Sequence, residues 1–186
     1  MELGGKMSEV KPIVVFDLET QNSFDDVGGY RNTRALKMSI GVTWNSADQA
    51  FHRYGEPDIP ALVEELKSAA LVVGFNVLSF DYEVLAAYTG EPLRSLPTTD
   101  MLDHIYRKLG FRVKLDDLAR ATLNIQKSGD GLDAIRWWRA GQIEQLYAYC
   151  EKDVEVTRRL YEFGKQNRYV QFYDKRYKLQ RVAVSW

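Results

Sequence analysis

The chain has 186 residues, of which 45% are hydrophobic and 27% are charged, and its formal net charge is −1. This composition is typical of a globular protein, and the length is sufficient for one domain with a substantial core. The sequence contains no apolar run long enough for a membrane span, and its first ten residues, MELGGKMSEV, lack the apolar core of a signal peptide.

Cysteine and histidine are scarce, which limits the chemistry available to the chain. The single cysteine, Cys150, excludes an internal disulfide and favours a cytoplasmic location. Two histidines, His52 and His104, are too few for a histidine-rich zinc site. We therefore expect carboxylates to carry the chemistry of a single domain over residues 11–186, with residues 1–10 as an N-terminal extension.

The first predicted element is a strand, Ile13–Thr20, in which four apolar residues run into two carboxylates. An unbroken apolar run is typical of a strand that is buried on both faces. Because side chains alternate along a strand, Asp17 and Glu19 are predicted to point the same way, about 7 Å apart at their Cα atoms. The pair indicates a divalent metal site, although a strand that merely ends in polar residues has the same pattern.

Hydrophobic periodicity and turn residues predict the later elements, after a polar loop over residues 21–35. In chain order we predict strands at 37–44 and 49–54, a helix at 58–69, a strand at 71–75, helices at 79–88, 99–109, 115–123, 132–140 and 142–164, and a C-terminal hairpin within 169–186 that turns near Asp174. Strands followed by alternation with helices favour an α/β fold with a mixed central β-sheet flanked by α-helices.

Two further acids interrupt the apolar faces of predicted helices. Asp81 follows the second buried strand, and Asp153 lies in the last long helix. A carboxylate that is buried, ionised and unpaired costs several kcal/mol. Clustering four of them costs about 4 kcal/mol per close pair at an effective dielectric near 20, and divalent ions offset this cost. We therefore predict that Asp81 and Asp153 join Asp17 and Glu19 at one metal site.

Positive charge is concentrated near the C-terminal end of the sequence. From Thr157 onward there are eight basic residues and two acidic ones, so that the segment carries +6 and the remainder −7. A basic edge beside an acidic site is typical of a surface that binds nucleic-acid phosphates. A solvated helix face followed by a charged hairpin explains the same charges.

Three short stretches occur in a fixed order: DLET from Asp17, NVLSFD ending at Asp81, and YCEKD from Tyr149 to Asp153. Together they resemble the motifs of the DEDD (DnaQ-like) superfamily of 3′→5′ exonucleases, which have the ribonuclease H-like fold. The last motif of that superfamily has either His five residues or Tyr four residues before its Asp. Since Tyr149 precedes Asp153 by four, the chain resembles the tyrosine subclass. The stretch LDDLARATLNIQKSGDG is similar to stand-alone relatives of family-B polymerase exonuclease domains.

The resemblance implies a metal-dependent hydrolase that removes nucleoside monophosphates from the 3′ end of single-stranded nucleic acid, with DNA favoured over RNA. It implies two Mg²⁺ or Mn²⁺ ions, bridged by Asp17. Glu19 and Asp153 complete the site on the side of the nucleophile, and Asp81 holds the ion on the side of the leaving group. Tyr149, one helical turn from Asp153, is expected to orient the attacking water.

Four residues are weaker candidates for substrate binding. Leu18 is expected either to wedge against the terminal base or to belong to the core. Asn76 contacts substrate or braces the turn before Asp81. Lys127 contacts phosphates or is a solvated loop lysine. Thr20 completes the first motif.

Two other functions are consistent with parts of the sequence. DLET and SGDGLD also resemble motifs of haloacid dehalogenase-type phosphatases, but Glu19 and Ala134 stand where that family needs aspartate or another acid. A nucleic-acid-binding module that has lost its catalysis is the second alternative. A retired site has no reason to keep clustered like charges, so we favour the exonuclease.

Overall fold

The computed structural model describes residues 11–125 and 131–186. A five-stranded sheet lies at its centre, with strand order β3-β2-β1-β4-β5. The strands are β1 (Ile13–Thr20), β2 (Met38–Asn45), β3 (Ala50–Gly55), β4 (Leu71–Gly74) and β5 (Thr98–Asp100). The first three are antiparallel neighbours, whereas β4 is parallel to both β1 and β5. The sheet is therefore mixed, as predicted, and β1 is its middle strand.

Helices cover both faces of this sheet, which is the α/β architecture expected of a ribonuclease H-like fold. They are α1 (Ile59–Ser68), α2 (Asp81–Leu85), α3 (Met101–Leu109), α4 (Leu115–Leu123), α5 (Gly131–Arg139) and α6 (Ile143–Asn167). None of the helices within residues 11–125 and 131–186 combines the length and apolarity needed to cross a membrane.

The side chains of β1 divide between two apolar layers. Val14, Phe16 and Leu18 pack in a cluster with residues of α1 and α2, whereas Val15 packs in a cluster with residues of α3 to α6. Since side chains alternate along a strand, Asp17 and Glu19 lie on the same face as Val15. Both carboxylates therefore point toward the layer that contains α6.

Apart from shifts of up to three residues at the ends of elements, three local features differ from the predictions. The predicted loop over 21–35 contains a 3₁₀ segment, Tyr30–Leu36. The helix predicted at 79–88 is shorter, Asp81–Leu85, because residues 76–80 form a turn in which the Phe80 amide donates to the Asn76 carbonyl. The helix predicted at 99–109 begins only at Met101, because residues 98–100 form the strand β5, which pairs with β4 over three residues only, too few for an alternating pattern.

The predicted C-terminal hairpin is confirmed as β6 (Tyr169–Tyr173) and β7 (Leu179–Ala183). Asp174 closes its turn, because its carboxylate accepts the backbone amides of Arg176 and Lys178 at 2.8 and 3.0 Å. The hairpin is held against α4, where the Thr122 hydroxyl accepts the Gln171 amide and lies 3.1 Å from its carbonyl oxygen.

Trp186, three residues after the end of β7, packs against α6. Its indole Nε1 donates to the Tyr161 carbonyl at 3.0 Å, and its ring meets His104 edge-on at 5.1 Å. Gly164 lets the ring approach the helix, since a Cβ placed there lies 2.5 Å from Nε1. The absence of a side chain at Gly164 is thus a packing requirement.

Gly164→Ala is therefore expected to destabilise the protein, although alanine favours a helix over glycine by about 1 kcal/mol. Overpacking costs about 1–3 kcal/mol, and the displaced indole also loses its hydrogen bond. Thermal melts should show a fall of several degrees. Gly90→Ala is the control, because a Cβ there meets open space. Equal melting temperatures for wild type and Gly164→Ala contradict this account.

Candidate active site

Asp17 and Glu19 are half-buried near the carboxyl end of β1, where they face α6. The pairing of β1 with β2 is regular from Val14 to Glu19 and becomes irregular between Glu19 and Thr20. The two acids therefore stand on the last regular part of the central strand, at a fixed separation.

Asp81 lies close to Asp17 and Glu19, although it comes from a later segment of the chain. It is the first residue of α2 and is only 2% exposed. One carboxylate oxygen, Oδ1, accepts the backbone amide of Leu18 at 3.1 Å. Since Leu18 lies between Asp17 and Glu19, this hydrogen bond ties Asp81 to the strand segment that carries both of them.

Helix α6 supplies the fourth acid and the phenol. Asp153 lines the same cavity as Asp17 and Glu19. Tyr149 lies one helical turn before Asp153, and its ring meets Trp137 of α5 edge-on at 5.5 Å. The structure thus brings together the five predicted catalytic residues, namely Asp17, Glu19, Asp81, Tyr149 and Asp153.

The acids disfavour one another's ionisation. Burial raises the pKa of Asp17 well above its ordinary value, and the charges of Asp81, Glu19 and Asp153 raise it further. Burial and the charges of Asp153 and Asp81 act in the same way on the pKa of Glu19. Burial raises the pKa of Asp81 to about 7, against the lowering effect of its backbone hydrogen bonds. The cluster is therefore unfavourable without a positive counter-charge.

The donor set fits a hard divalent cation, because carboxylate oxygens are the ligands that Mg²⁺ and Mn²⁺ prefer. Among the described residues, the donor atoms of Asp17, Glu19 and Cys150 lie within 4.8 Å of one another. In the metal-free protein, burial and the neighbouring acids raise the pKa of the Cys150 thiol, and its soft sulfur is not a ligand that Mg²⁺ or Mn²⁺ prefers. The thiol instead lies 3.6 Å from the Asp17 carboxylate oxygen Oδ2.

A cavity of about 580 Å³ opens beside the acids. Its wall includes three aromatic residues that the sequence analysis missed, Phe24, Tyr30 and Phe80. The rings of Phe24 and Tyr30 lie 4.3 Å apart, and Phe80 lies 6.0 Å from Phe24. The only signal in the sequence was an aromatic pair inside an otherwise polar loop.

The substrate-binding candidates occupy different surroundings. Leu18 is 3% exposed, and both Leu18 and Thr20 line the cavity. Asn76 has a left-handed backbone, with φ at 70°, and its side-chain oxygen accepts a hydrogen bond from Arg112 at 2.9 Å. It does not line the cavity beside the acids. Lys127 lies outside the described residues.

Asp100 positions the turn that leads to Asp81. Its carboxylate accepts the backbone amides of Asn76 and Leu78, at 2.9 and 3.0 Å, as well as that of Asp103 at the start of α3. The sequence indicated only an acid at a helix start, since the other two donors are 22 and 24 residues away. Asp100 therefore joins two segments that precede and follow α2.

Divalent metal is expected to raise the melting temperature, and by more at pH 8 than at pH 5. An acid with a raised pKa in the folded state costs stability as the pH rises from its unfolded pKa, about 4, through its folded pKa. Bound Mg²⁺ restores stability, by about 2.7 kcal/mol at one hundred times its Kd. Melts in Mg²⁺ and in EDTA across this range measure the difference. A metal effect that is independent of pH, or unchanged in Asp81→Asn, contradicts the assignment.

A sequence model of the family described as 3′-5′ exonuclease matches residues 6–163. The matched segment contains β1, α2 and the part of α6 that carries Tyr149 and Asp153, and it ends before the C-terminal hairpin. The chain matches no curated protein sequence.

Proposed function

The chain belongs to the 3′→5′ exonuclease family, and from that premise we propose that it removes nucleotides from the 3′ end of single-stranded nucleic acid. We propose DNA as the favoured substrate over RNA, and nucleoside monophosphates as the products. The observation that carries the proposal is that Asp17, Glu19 and Asp153 line one open cavity, while the buried Asp81 accepts the Leu18 amide between the first two and its charge acts on Asp17. Exonuclease domains of this family use divalent metals, and this cluster supplies carboxylate ligands.

We propose two bound ions, Mg²⁺ or Mn²⁺, with Asp17 as the residue that contacts both. Glu19 and Asp153 would hold the ion on the side of the attacking water, and Asp81 would hold the ion on the side of the leaving group. When bound, such a pair supplies a more acidic water and stabilises charge on the attacking and leaving oxygens. Their positive charge also offsets the repulsion that raises the pKa of Asp17 and Glu19.

We propose that the chain belongs to the tyrosine subclass, because Tyr149 precedes Asp153 by four residues. Burial and the charges of Asp153, Glu19 and Asp17 raise the pKa of its phenol, so that its oxygen keeps its proton at neutral pH. A protonated phenol is a hydrogen-bond donor and not a base. Tyr149 therefore orients the water or the scissile phosphate, while its contact with Trp137 fixes the ring.

The remaining binding roles are assigned by their place along the cavity. The aromatic wall of Phe24, Tyr30 and Phe80 provides a surface for the terminal base, and Leu18 and Thr20 lie next to the acids. We propose that Asn76 and Lys127 also contact the nucleic-acid strand. We also propose a single domain over residues 11–186, after an extension over 1–10, and a cytoplasmic location based on the single cysteine.

The proposal is tested with 5′-labelled and 3′-labelled single strands of DNA and RNA, incubated with Mg²⁺ or Mn²⁺. We expect the 5′-labelled strand to shorten one nucleotide at a time, and the 3′ label to appear at once as a mononucleotide. Asp153→Asn is the inactive control. Binding without cleavage supports the non-catalytic module, and hydrolysis of a small phosphomonoester alone supports the phosphatase.

A further inference from the structure

A second groove lies away from the acids, between the segment that follows α3 and the turn of the C-terminal hairpin. It encloses about 720 Å³. Its walls carry two exposed aromatic side chains and four cations, and they are formed in the main by Phe111, Arg112, Tyr173, Lys175, Arg176 and Lys178. Neither the hairpin wall nor its charges lie within the segment that matches the exonuclease family.

The charge of this groove is available to a ligand. Within residues 11–125 and 131–186, the side chains of Lys175, Arg176 and Lys178 form no ion pair with an acid, and all three are exposed. The two acids of the groove are already engaged. Asp174 accepts the amides of its own turn, and Asp117 pairs with Arg120 at 3.4 Å. Asp174 keeps its negative charge and interacts with that of Lys178, but four cations against two carboxylates leave the groove with net positive charge.

Aromatic surface accompanies that charge. Phe111 is 50% exposed and is held by an edge-on contact with Phe172, at 5.9 Å between ring centres. Tyr173 is 39% exposed, and Arg120 covers its ring at 5.3 Å. Phe111 thus presents a fixed and uncovered ring in a basic groove, which is the combination that binds bases and phosphates of a single strand.

Two connections lead from this groove to the acids. Arg112, on the groove wall, donates to the side chain of Asn76, which begins the turn that ends at Asp81. The first turn of α4 has one acid on each side: Asp117 lines the groove, and the charge of Asp116 acts on Tyr149. The groove and the active site are therefore linked through Arg112 and through the first turn of α4.

We propose that this groove binds the part of a single-stranded nucleic acid that lies 5′ to the nucleotide in the active site. Lys175, Arg176 and Lys178 contact phosphates, and Phe111 stacks on a base. The direction of the strand rests on the proposed 3′→5′ function, whereas binding itself does not. Unpaired positive charge with an exposed ring favours a polyanion with flat bases over a protein partner, whose apolar surface would leave the three cations without partners.

The test is strand binding in EDTA, which excludes cleavage, with a 5′-fluorescein single strand of twelve nucleotides. We expect the triple variant Lys175→Ala, Arg176→Ala, Lys178→Ala to raise Kd at least tenfold. The slope of log K against log salt should fall by about 2, since each single-strand phosphate contact contributes about 0.7. Phe111→Ala should raise Kd by about fivefold or more. Melting temperatures check that the variants are folded, and Phe111→Leu retains apolar packing without a flat ring.

The matched control removes three positive charges at the surface outside the basic C-terminal segment, at Lys11, Lys67 and Arg94. We expect it to change Kd less than twofold. Equal weakening in both triple variants, unchanged binding in the groove variants, or no binding by the wild type overturns the proposal. Adding Mg²⁺ then tests the two proposals separately. If the groove variants weaken binding but the wild type does not cleave the strand, only the exonuclease assignment is wrong. If the wild type cleaves the strand but the groove variants bind it normally, only the groove assignment is wrong.

Discussion

Asp17→Asn is expected to reduce exonuclease activity by about a thousandfold or more. Loss of one group that stabilises charge in a transition state already costs about 10²–10³-fold. Asp17 is proposed to contact both ions, so that its loss disturbs both sides of the scissile bond. The rate of shortening of a 5′-labelled strand in Mg²⁺, under single-turnover conditions, measures the effect.

The same substitution is expected to leave the fold intact or to stabilise it. Burial and the charges of Asp81, Glu19 and Asp153 disfavour the ionised form of Asp17, so a neutral amide relieves repulsion in the metal-free protein. The melting temperature in EDTA should equal or exceed that of the wild type. Loss of activity together with a large fall in melting temperature contradicts this explanation.

Tyr149→Phe provides a graded comparison for that experiment. It removes one hydroxyl and preserves the ring that meets Trp137. General acid–base catalysis typically contributes about 10²–10⁴-fold, and Tyr149 is proposed to donate a hydrogen bond without transferring a proton, so the rate should fall by less than this and remain measurable. A rate equal to that of the wild type removes Tyr149 from the site, even if Asp17 remains essential.

The acids could be recognised in the sequence because each one interrupts an apolar pattern. Asp17 and Glu19 end a buried run, and Asp81 and Asp153 stand on helix faces that are otherwise apolar. Such interruptions are expensive and are seen without knowledge of the fold. Their meeting follows from the sheet, since β1 is the middle strand and α6 packs on the face of Asp17.

Other parts of the site depend on contacts that no local pattern encodes. Phe24 and Tyr30 become a cavity wall only because the loop after β1 folds back beside Phe80. The strand β5 forms because it pairs with the edge of β4, and its own three residues carry no pattern that predicts a strand. A helix-start acid such as Asp100 gives no sign of the amides that it accepts from a distant turn.

The carboxylate of Glu65 also depends on contacts that no local pattern predicts, because its hydrogen-bond donors lie on β2 and β3. Glu65 of α1 is surrounded by side chains of β2 and β3, and its side chain is 9% exposed. Four donors reach its two oxygens at 2.6–2.8 Å: Thr43 Oγ1, Asn45 Nδ2, His52 Nδ1 and Tyr54 OH. This network joins α1 to the hairpin of β2 and β3, and nothing in the helix sequence distinguishes Glu65 from its neighbour Glu64.

Glu65→Ala is therefore expected to be the most destabilising of these substitutions, by about 3–5 kcal/mol, which is the usual cost of breaking a buried charged network. For a chain of this size each kcal/mol lowers the melting temperature by about 2–4 °C. Glu64→Ala is the matched control on the same helix, because Glu64 is 71% exposed and pairs only at the surface with Lys67. Its effect should stay within about 0.5 kcal/mol.

The pH dependence distinguishes the network from simple packing. Burial acts to lower the pKa of His52, but its hydrogen bond to Asp48 and the charge of Glu65 together raise it above its ordinary value of 6.5. A histidine with a raised pKa contributes stability that is complete below pH 6.5 and is lost as the pH rises through the folded pKa. The difference in melting temperature between wild type and Glu65→Ala should thus be larger at pH 6 than at pH 9. A difference that is the same at both values implies that the lost hydrogen bonds of Thr43, Asn45 and Tyr54 account for the whole effect, and that the charge on His52 contributes nothing.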